Sequence, residues 1–149
     1  MPEPEAGSTE PGPILGGIGI IRRADRFLIR VRPEGTVYAG YWEFPGGKCE
    51  PGETLEQTTA RECLEETGLQ VAVGVLRRVI EHAYPHGLVK LYFFDCNPID
   101  PTAEPPSEHQ CRWVKAEELS AYRFPEANEE IIEQLVAEAG EISGRGGPG

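Results

Sequence analysis

The stretch from Glu43 to Gly68 constrains the fold of this 149-residue chain more than any other. Its first part, residues 43–53, holds three glycines and two prolines, which is typical of a loop with a defined course. Thr54 and Gln57 then form a T-x-x-Q capping box, and Gly68 supplies a helix stop with no proline in between. The sequence therefore predicts a structured loop followed at once by a helix over residues 54–67.

The predicted helix has two contrasting faces, because successive residues project about 100° apart. The packing side gathers Ala60, Cys63, Leu64 and Thr67. The opposite arc carries the carboxylates of Glu62, Glu65 and Glu66, and only Arg61 lies close enough to offset them. Like charges at this spacing cost about 0.2–0.5 kcal/mol per pair. Two interpretations remain open: a solvated acidic face, or a carboxylate site for a hard divalent cation that also contacts substrate phosphates.

The rest of the chain predicts one layered domain that mixes strands with two helices. The predicted strands cover residues 14–21, 27–32, 71–82, 88–96 and 111–114, and the last helix covers residues 125–139. Residues 71–96 form a hairpin around the turn Tyr84-Pro85-His86-Gly87. The expected organisation is a flexible tail over residues 1–13, a folded body over 14–140 and a second flexible tail over 141–149.

The charge balance narrows the range of partners. Fourteen basic residues face 25 acidic ones, and the net charge is −11. Such a field repels nucleic-acid polymers and anionic membranes, so a phosphate-bearing ligand needs a cation as intermediary. No stretch approaches the roughly 20 apolar residues that span a bilayer, and the N-terminus does not read as a signal peptide. We therefore expect a cytoplasmic protein, monomeric rather than oligomeric, with a small-molecule partner.

Several common catalytic motifs are excluded. A Walker A loop fails because Trp42 stands at its first glycine position and Cys49 follows Lys48. The segment starting at Gly17 lacks the third glycine of the dinucleotide fingerprint, and there is no G-x-S-x-G elbow or H-E-x-x-H pair. A P-loop, a Rossmann site, a serine hydrolase and a zincin are thereby set aside.

From Gly47 to Leu69 the chain reads G-x₅-E-x₇-R-E-C-x-E-E-x-G-L. This pattern resembles the Nudix box, with every glycine, acid and arginine present. Cys63 stands where the family usually has a larger aliphatic residue, and cysteine packs as a small hydrophobe. The resemblance implies the Nudix α/β/α sandwich with a mixed β-sheet. It also implies a hydrolase that cleaves a nucleoside diphosphate linked to another group, using Mg²⁺ or Mn²⁺.

The resemblance also assigns roles to residues. Metal ligands would be the Gly46 carbonyl and the carboxylates of Glu62, Glu65 and Glu66. Glu53 and Arg61 would orient the loop and the carboxylates. The general base would be one of the helix glutamates or a glutamate outside the box, for which Glu108 is the best candidate; the alternative for Glu108 is a surface acid in a loop.

Beyond the box, residues 17–136 resemble the MutT-like branch, which hydrolyses nucleoside triphosphates to monophosphates and pyrophosphate. The expected reaction converts 8-oxo-dGTP to 8-oxo-dGMP and pyrophosphate, a nucleotide-pool sanitation step that belongs to DNA repair. By this resemblance Arg32 and Phe44 line the nucleotide pocket and Asn128 reads the oxidised purine, since a carboxamide can pair with its O6 and N7 edge. Alternatively, Arg32 is an exposed strand residue and Asn128 caps or precedes the last helix.

One departure keeps other functions open. His86-Gly87 stands in the hairpin turn where the oxidised-purine enzymes can carry an Asp-Arg pair. A Nudix pyrophosphohydrolase for a pyrimidine nucleotide such as CTP is therefore the first alternative, and a catalytically silent nucleotide-binding module is the second. The complete set of acids around Arg61 argues against the silent module, because a pure binder has no need for so many uncompensated carboxylates.

Overall fold

The computed structural model describes residues 12–85 and 87–145, with side chains as far as Glu141. The strands are β1 (Ile14–Arg23), β2 (Arg26–Val31), β3 (Trp42–Glu43), β4 (Gly46–Lys48), β5 (Val71–Tyr84), β6 (Gly87–Pro98) and β7 (Cys111–Lys115). The α-helices are α1 (Leu55–Thr67) and α2 (Glu129–Arg145). Three short 3-10 helices cover Ser107–His109, Ala116–Ala121 and Glu126–Asn128.

The strands form a mixed sheet in the order β3-β2-β1-β6-β5. Strands β1 and β6 run parallel, from the pair Ile14 and Val89 to the pair Ile21 and Cys96. The other pairings are antiparallel, including β4 against β1 and β7 against β2. The central parallel pair and its antiparallel flanks confirm the predicted mixed sheet.

Alternation along the strands divides the core between the two faces of the sheet. On one face Ile20 and Phe93 pack with Ile131 and Leu135 of α2. On the other face Ile21, Phe94 and Cys96 pack with Cys63 of α1. One helix thus covers each face, and the α/β/α sandwich is confirmed.

Helix α1 has the predicted ends but a different packing face. The Thr54 side chain accepts a hydrogen bond from the Gln57 amide, the Gln57 side chain accepts one from the Thr54 amide, and Gly68 closes the helix at φ 80°. Leu64, expected in the core, is 45% exposed, while Thr59 and Thr67 are fully buried. Their hydroxyls donate to carbonyls four residues back, which lets these polar side chains face the sheet.

Glycines in β1 explain how closely α1 approaches the sheet. A Cβ on Gly17 would lie 2.9 Å from the Leu55 carbonyl oxygen, and a Cβ on Gly19 would lie 2.5 Å from the Cys63 sulfur. The small Cys63 side chain therefore fits a helix that lies close to the sheet. This contact fixes the height at which the carboxylates of α1 stand above β4.

Other elements differ from expectation at their ends. The hairpin is confirmed, with β5 and β6 each longer than predicted; His86 lies outside the described residues. Helix α2 begins at Glu129 instead of Pro125, because Glu126–Asn128 forms a 3-10 helix, and it continues to Arg145 through part of the expected tail. Residues 1–11 and 146–149 lie outside the described part of the chain. Within the described residues, no helix combines the length and apolar character needed to cross a membrane.

Candidate active site

The segment before α1 is held against β1 by backbone hydrogen bonds. Gly46, Gly47 and Lys48 form β4 opposite Ile18, Gly17 and Gly16. The Gly19 amide donates to the Pro45 carbonyl at 2.8 Å on one side of β4, and the Cys49 amide donates to the Leu15 carbonyl at 2.8 Å on the other. The predicted loop over residues 43–53 therefore contains a short edge strand, β4, that runs past the carboxylate face of α1.

Gly47 and Glu62 occupy adjoining space. A Cβ on Gly47 would overlap the carboxylate of Glu62, so only glycine lets that side chain remain where it is. The Glu62 side chain is 15% exposed and lies between α1 and β4.

Arg61 organises the carboxylates on its side of α1. Its Nε and Nη2 donate to the two oxygens of Glu53 at 2.6 and 3.0 Å, and Nη2 also donates to the Lys48 carbonyl at 3.2 Å. Its Nη1 lies 3.0 Å from Glu62 and 3.4 Å from Glu65. Hydrogen bonding to Arg61 lowers the pKa of Glu53 to about 2, and Glu53 raises the pKa of Arg61 in return. The Arg61 guanidinium thus links the carboxylates of Glu53, Glu62 and Glu65.

Glu66 lies apart from this group. Its Oε1 accepts a hydrogen bond from the Gly46 amide at 3.0 Å and lies 3.6 Å from Nη1 of Arg30. Burial raises the pKa of the Glu66 carboxyl to about 7, although the Gly46 amide favours its ionised form. A carboxylate in such a setting is undercompensated, and a further positive charge would stabilise its ionised state.

The donor set suits a hard divalent cation. Glu62, Glu65, Glu66 and the Gly46 carbonyl offer oxygen ligands only, which Mg²⁺ and Mn²⁺ accept. In the structure these side chains bond to Arg61 and to the Gly46 amide, and within the described residues no three acidic, His or Cys side chains already converge on one point. A cation bound here would share the carboxylates of Glu62 and Glu65 with Arg61, and it would give the undercompensated Glu66 a positive partner.

A cavity of about 360 Å³ adjoins β4. It brings together four residues that the sequence assigns to the site: Arg32, Phe44, Gly46 and Asn128. Its other walls include Ile18, Tyr84 and Leu91, so the space is largely apolar with polar groups at a few points. Both the volume and the lining suit one nucleotide base with its sugar.

Three of these wall residues have defined surroundings. Phe44 is 3% exposed, and its ring centroid lies 5.2 Å from that of Phe124. Arg32 is half-buried rather than an exposed strand residue; its Nε donates to the Val37 carbonyl at 2.7 Å. Asn128 ends the 3-10 helix before α2 and also lines the cavity. Its Nδ2 donates a hydrogen bond to the Pro125 carbonyl at 3.2 Å. Its Oδ1 accepts no hydrogen bond from the described residues.

The structure adds Glu43 and Arg30 to the candidate site and places Glu108 outside it. Glu43 lines the cavity and pairs with both Arg30 and Arg32. The only signal in the sequence was the two-residue spacing of those arginines at the end of a predicted strand. Glu108 lies exposed on the 3-10 helix Ser107–His109, outside the cavity wall and without an ion pair to any described residue. Its role as the external base stays a prediction.

Comparisons with known proteins agree with this geometry. The model of the NUDIX domain family matches residues 17–134. An 8-oxo-dGTP diphosphatase of Haemophilus influenzae is 34% identical over 123 residues, which is 80% of this chain and 89% of that protein. A CTP pyrophosphohydrolase of Escherichia coli is 29% identical over 118 residues, 79% of this chain and 89% of that protein.

A solved structure of MutT, from work on Aliivibrio salmonicida and Vibrio cholerae, shares the fold with a TM-score of 0.68 and 31% identity, covering 83% of this chain and 96% of that one. The range matched by the family model, residues 17–134, includes most of the sheet, the box helix and Asn128. The chain therefore belongs to the Nudix family of hydrolases, and within that family it is similar to the MutT-like 8-oxo-dGTP diphosphatases.

Proposed function

We propose that this protein is a Mg²⁺- or Mn²⁺-dependent nucleoside triphosphate pyrophosphohydrolase that converts 8-oxo-dGTP to 8-oxo-dGMP and pyrophosphate. The observation that carries the proposal is the cavity beside β4, whose wall holds Arg32, Phe44 and Asn128 next to the loop that faces the carboxylates of α1. A base in the cavity would place its phosphates along β4, toward α1. The two relatives given above are named for hydrolysis of nucleoside triphosphates, 8-oxo-dGTP in one case and CTP in the other.

Each group would have a separate task. Glu62, Glu65, Glu66 and the Gly46 carbonyl would hold the cation, which neutralises phosphate charge and lowers the pKa of a bound water. Arg61 would orient Glu62 and Glu65 through the hydrogen bonds described above, while Glu53 anchors Arg61. One of the helix glutamates, or Glu108, would accept the proton of the attacking water.

Base recognition would rest on the apolar wall of the cavity and on the side-chain amide of Asn128. The buried ring of Phe44 forms a wall against which a purine can pack, and Asn128 offers a donor and an acceptor. In an 8-oxopurine the N7 position carries a proton, so its O6 and N7 edge presents an acceptor beside a donor. An amide matches that edge better than it matches the two acceptors of guanine.

A pyrimidine triphosphate is the second candidate. It is favoured by the similarity to the CTP pyrophosphohydrolase and by the turn after Tyr84, which lacks the Asp-Arg pair. Tyr84, the last residue of β5 before this turn, lines the cavity. A different turn can change the size of base that the cavity accepts.

A hydrolysis panel of 8-oxo-dGTP, dGTP, dATP, dCTP and CTP with Mg²⁺ separates these possibilities. We expect the highest kcat/KM for 8-oxo-dGTP, with the nucleoside monophosphate and pyrophosphate as the only products on ion-exchange chromatography. Preference for CTP or dCTP would support the second candidate. Tight nucleotide binding without turnover would identify a silent module.

The setting follows from the same features. The proposed catalytic body spans residues 14–140, and the family model matches most of it. With a net charge of −11, the protein would take neither nucleic-acid polymers nor anionic membranes as partners. The proposal also includes action on free nucleotides in the cytoplasm, as a monomer.

A further inference from the structure

Glu43 engages two arginines at the edge of the nucleotide cavity. Its Oε1 accepts a hydrogen bond from Nη1 of Arg32 at 2.6 Å, and its Oε2 accepts one from Nη1 of Arg30 at 2.5 Å. The Glu43 side chain is 15% exposed, so water competes little for these oxygens. Both carboxylate oxygens are thus committed to guanidinium groups.

Strand pairing produces this arrangement. Arg30 lies directly opposite Glu43 in the antiparallel register of β2 and β3, and Val31 lies opposite Trp42. Arg32 lies just past the end of β2, two residues after Arg30, and its Nη1 also reaches Glu43. A single carboxylate on β3 can therefore reach both arginines.

The pair with Glu43 immobilises the Arg32 side chain. The Val37 carbonyl holds its Nε at 2.7 Å, and Glu43 holds its Nη1. Within the described part of the chain, Nη2 of Arg32 donates to no protein group. Arg32 lines the cavity, so this free donor of a fixed guanidinium is available to an anionic or carbonyl group of a bound ligand.

Arg30 extends the same cluster toward α1. Its Nη1 lies 3.6 Å from Oε1 of Glu66, and its buried Nε has no hydrogen-bond partner in the described structure. The Arg30 side chain is therefore held through Nη1, which pairs with Glu43 and Glu66, and not through Nε. When Glu66 is ionised, the formal charges of Arg30, Arg32, Glu43 and Glu66 sum to zero.

We propose that Glu43 is a positioning residue for the nucleotide. It holds the Arg32 guanidinium at the cavity wall, and by pairing with Arg30 as well it keeps the two arginines in separate positions. This inference rests on the proposed nucleotide hydrolase function and names a residue that acts through Arg32. If Glu43 only fastened β3 to β2, its removal would lower stability without changing ligand affinity.

Binding of reaction products tests this without metal or turnover. Affinities of 8-oxo-dGMP, dGMP and CMP are measured by titration calorimetry in EDTA for wild type, Glu43→Gln, Arg32→Gln and the double variant. Loss of a buried charge-assisted contact costs about tenfold or more in affinity, so we expect both single variants to bind the preferred monophosphate about tenfold more weakly. The double variant should bind no more weakly than Arg32→Gln, because Glu43 acts through Arg32.

Control variants separate affinity from stability. Glu130→Gln breaks an exposed glutamate–arginine pair, with Arg78 at 2.8 Å, away from the cavity and should leave affinity unchanged. If Glu43→Gln does not fold, Glu43→Asp keeps the charge while withdrawing it from the arginines and should show the same loss. In turnover assays, KM should rise more than kcat falls.

Two results would overturn the inference: wild-type affinity in folded Glu43→Gln, or additive losses in the double variant. A wild type that prefers CMP would contradict the proposed base but still allow the Glu43 test on that nucleotide. A wild type that binds none of the three would contradict the proposed function itself, and would remove the ligand that Glu43 is inferred to position.

Discussion

Arg61 and Glu53 form a two-point ion pair, with Nε 2.6 Å from Oε2 and Nη2 3.0 Å from Oε1. Glu53 also accepts hydrogen bonds from the Glu50 amide and from the Thr58 hydroxyl. The pair ties the segment before α1 to the second turn of the helix. Because Arg61 then reaches Glu62 and Glu65 with its remaining nitrogen, the geometry of the carboxylate face depends on Glu53.

This pair predicts a distinct acid dependence of stability. The pKa of Glu53 falls from 4.5 to about 2 on folding, mainly through Arg61. A carboxylate with a lowered folded pKa stabilises above pH 4.5, and that stabilisation is lost as the pH falls toward 2. Glu53→Gln should be less stable than wild type at pH 7 and lose less stability on acidification, as measured by urea unfolding across this range. Glu130→Gln, from an exposed pair, is the control; a slope like that of wild type in Glu53→Gln would contradict the prediction.

The carboxylate face should be essential for turnover but not for folding. Glu65→Gln and Glu66→Gln each remove a charged oxygen ligand, so kcat should fall by about 100-fold or more, each factor of ten being about 1.4 kcal/mol of activation free energy. Circular dichroism should show a native fold, and Mn²⁺ binding by calorimetry should weaken. Glu56→Gln, on the exposed first turn of α1, should retain normal turnover. Near-normal hydrolysis by both site variants would exclude the metal assignment.

Metal-free Glu66→Gln should also change the pH dependence of stability. The pKa of Glu66 is raised from 4.5 to about 7, so the folded state holds a proton that the unfolded state releases. The stability of the metal-free wild type therefore falls as the pH rises from 4.5 to about 7, and the full cost remains above that range. Glu66→Gln lacks this fall. Identical curves for the two proteins would show that Glu66 titrates normally.

Gly47→Ala should reduce activity while leaving the fold intact. The new Cβ would overlap the carboxylate of Glu62, which is the movable end of a side chain, so the carboxylate is displaced and not the backbone. A displacement of about 1 Å at a catalytic group can cost about 100-fold in rate. Gly140→Ala meets no atom within 4 Å and should retain full activity, with a small gain in stability from better helix propensity. Normal kcat with unchanged KM in Gly47→Ala would contradict this.

Asn128→Ala should affect the base and not the metal chemistry. Loss of one hydrogen-bonding partner costs about 1–3 kcal/mol, which predicts a five- to 150-fold lower kcat/KM for 8-oxo-dGTP. The preference for 8-oxo-dGTP over dGTP should flatten, since selectivity is a difference of two binding energies. Asn97→Ala, whose amide donates to the Arg22 carbonyl outside the cavity, is the matched control. An equal loss with every nucleotide would make Asn128 structural.

The terminal segments should be dispensable. Deleting residues 1–12 and 144–149 should leave kcat/KM within about twofold, because both segments lie outside the family match and the cavity wall. From the described structure the deletion removes Gly12 and the last two residues of α2. A large loss of Mg²⁺-dependent activity after trimming would place a terminal segment at the site.

Local sequence determined the helix that carries the acids. Thr54, Gln57 and Gly68 define its ends through contacts between near neighbours, so no tertiary information was needed. The helical period likewise brings Glu62, Glu65 and Glu66 toward one side. The hairpin and the last helix were predicted by type, but their ends moved because pairing and the turn at Pro125 depend on surrounding structure.

Tertiary structure alone decided the faces and the cavity. Leu64 is exposed because glycines of β1 admit Thr59 and Cys63 against the sheet, which rotates the packing face away from the most apolar arc. The raised pKa of Glu66 arises from burial beside β4. Arg32 and Asn128 share a cavity only because strand order brings distant segments together, and Glu43 joins Arg30 to Arg32 only through the register of β2 and β3. Short-range contacts are encoded in residue spacing, whereas these relationships require the whole sheet to form.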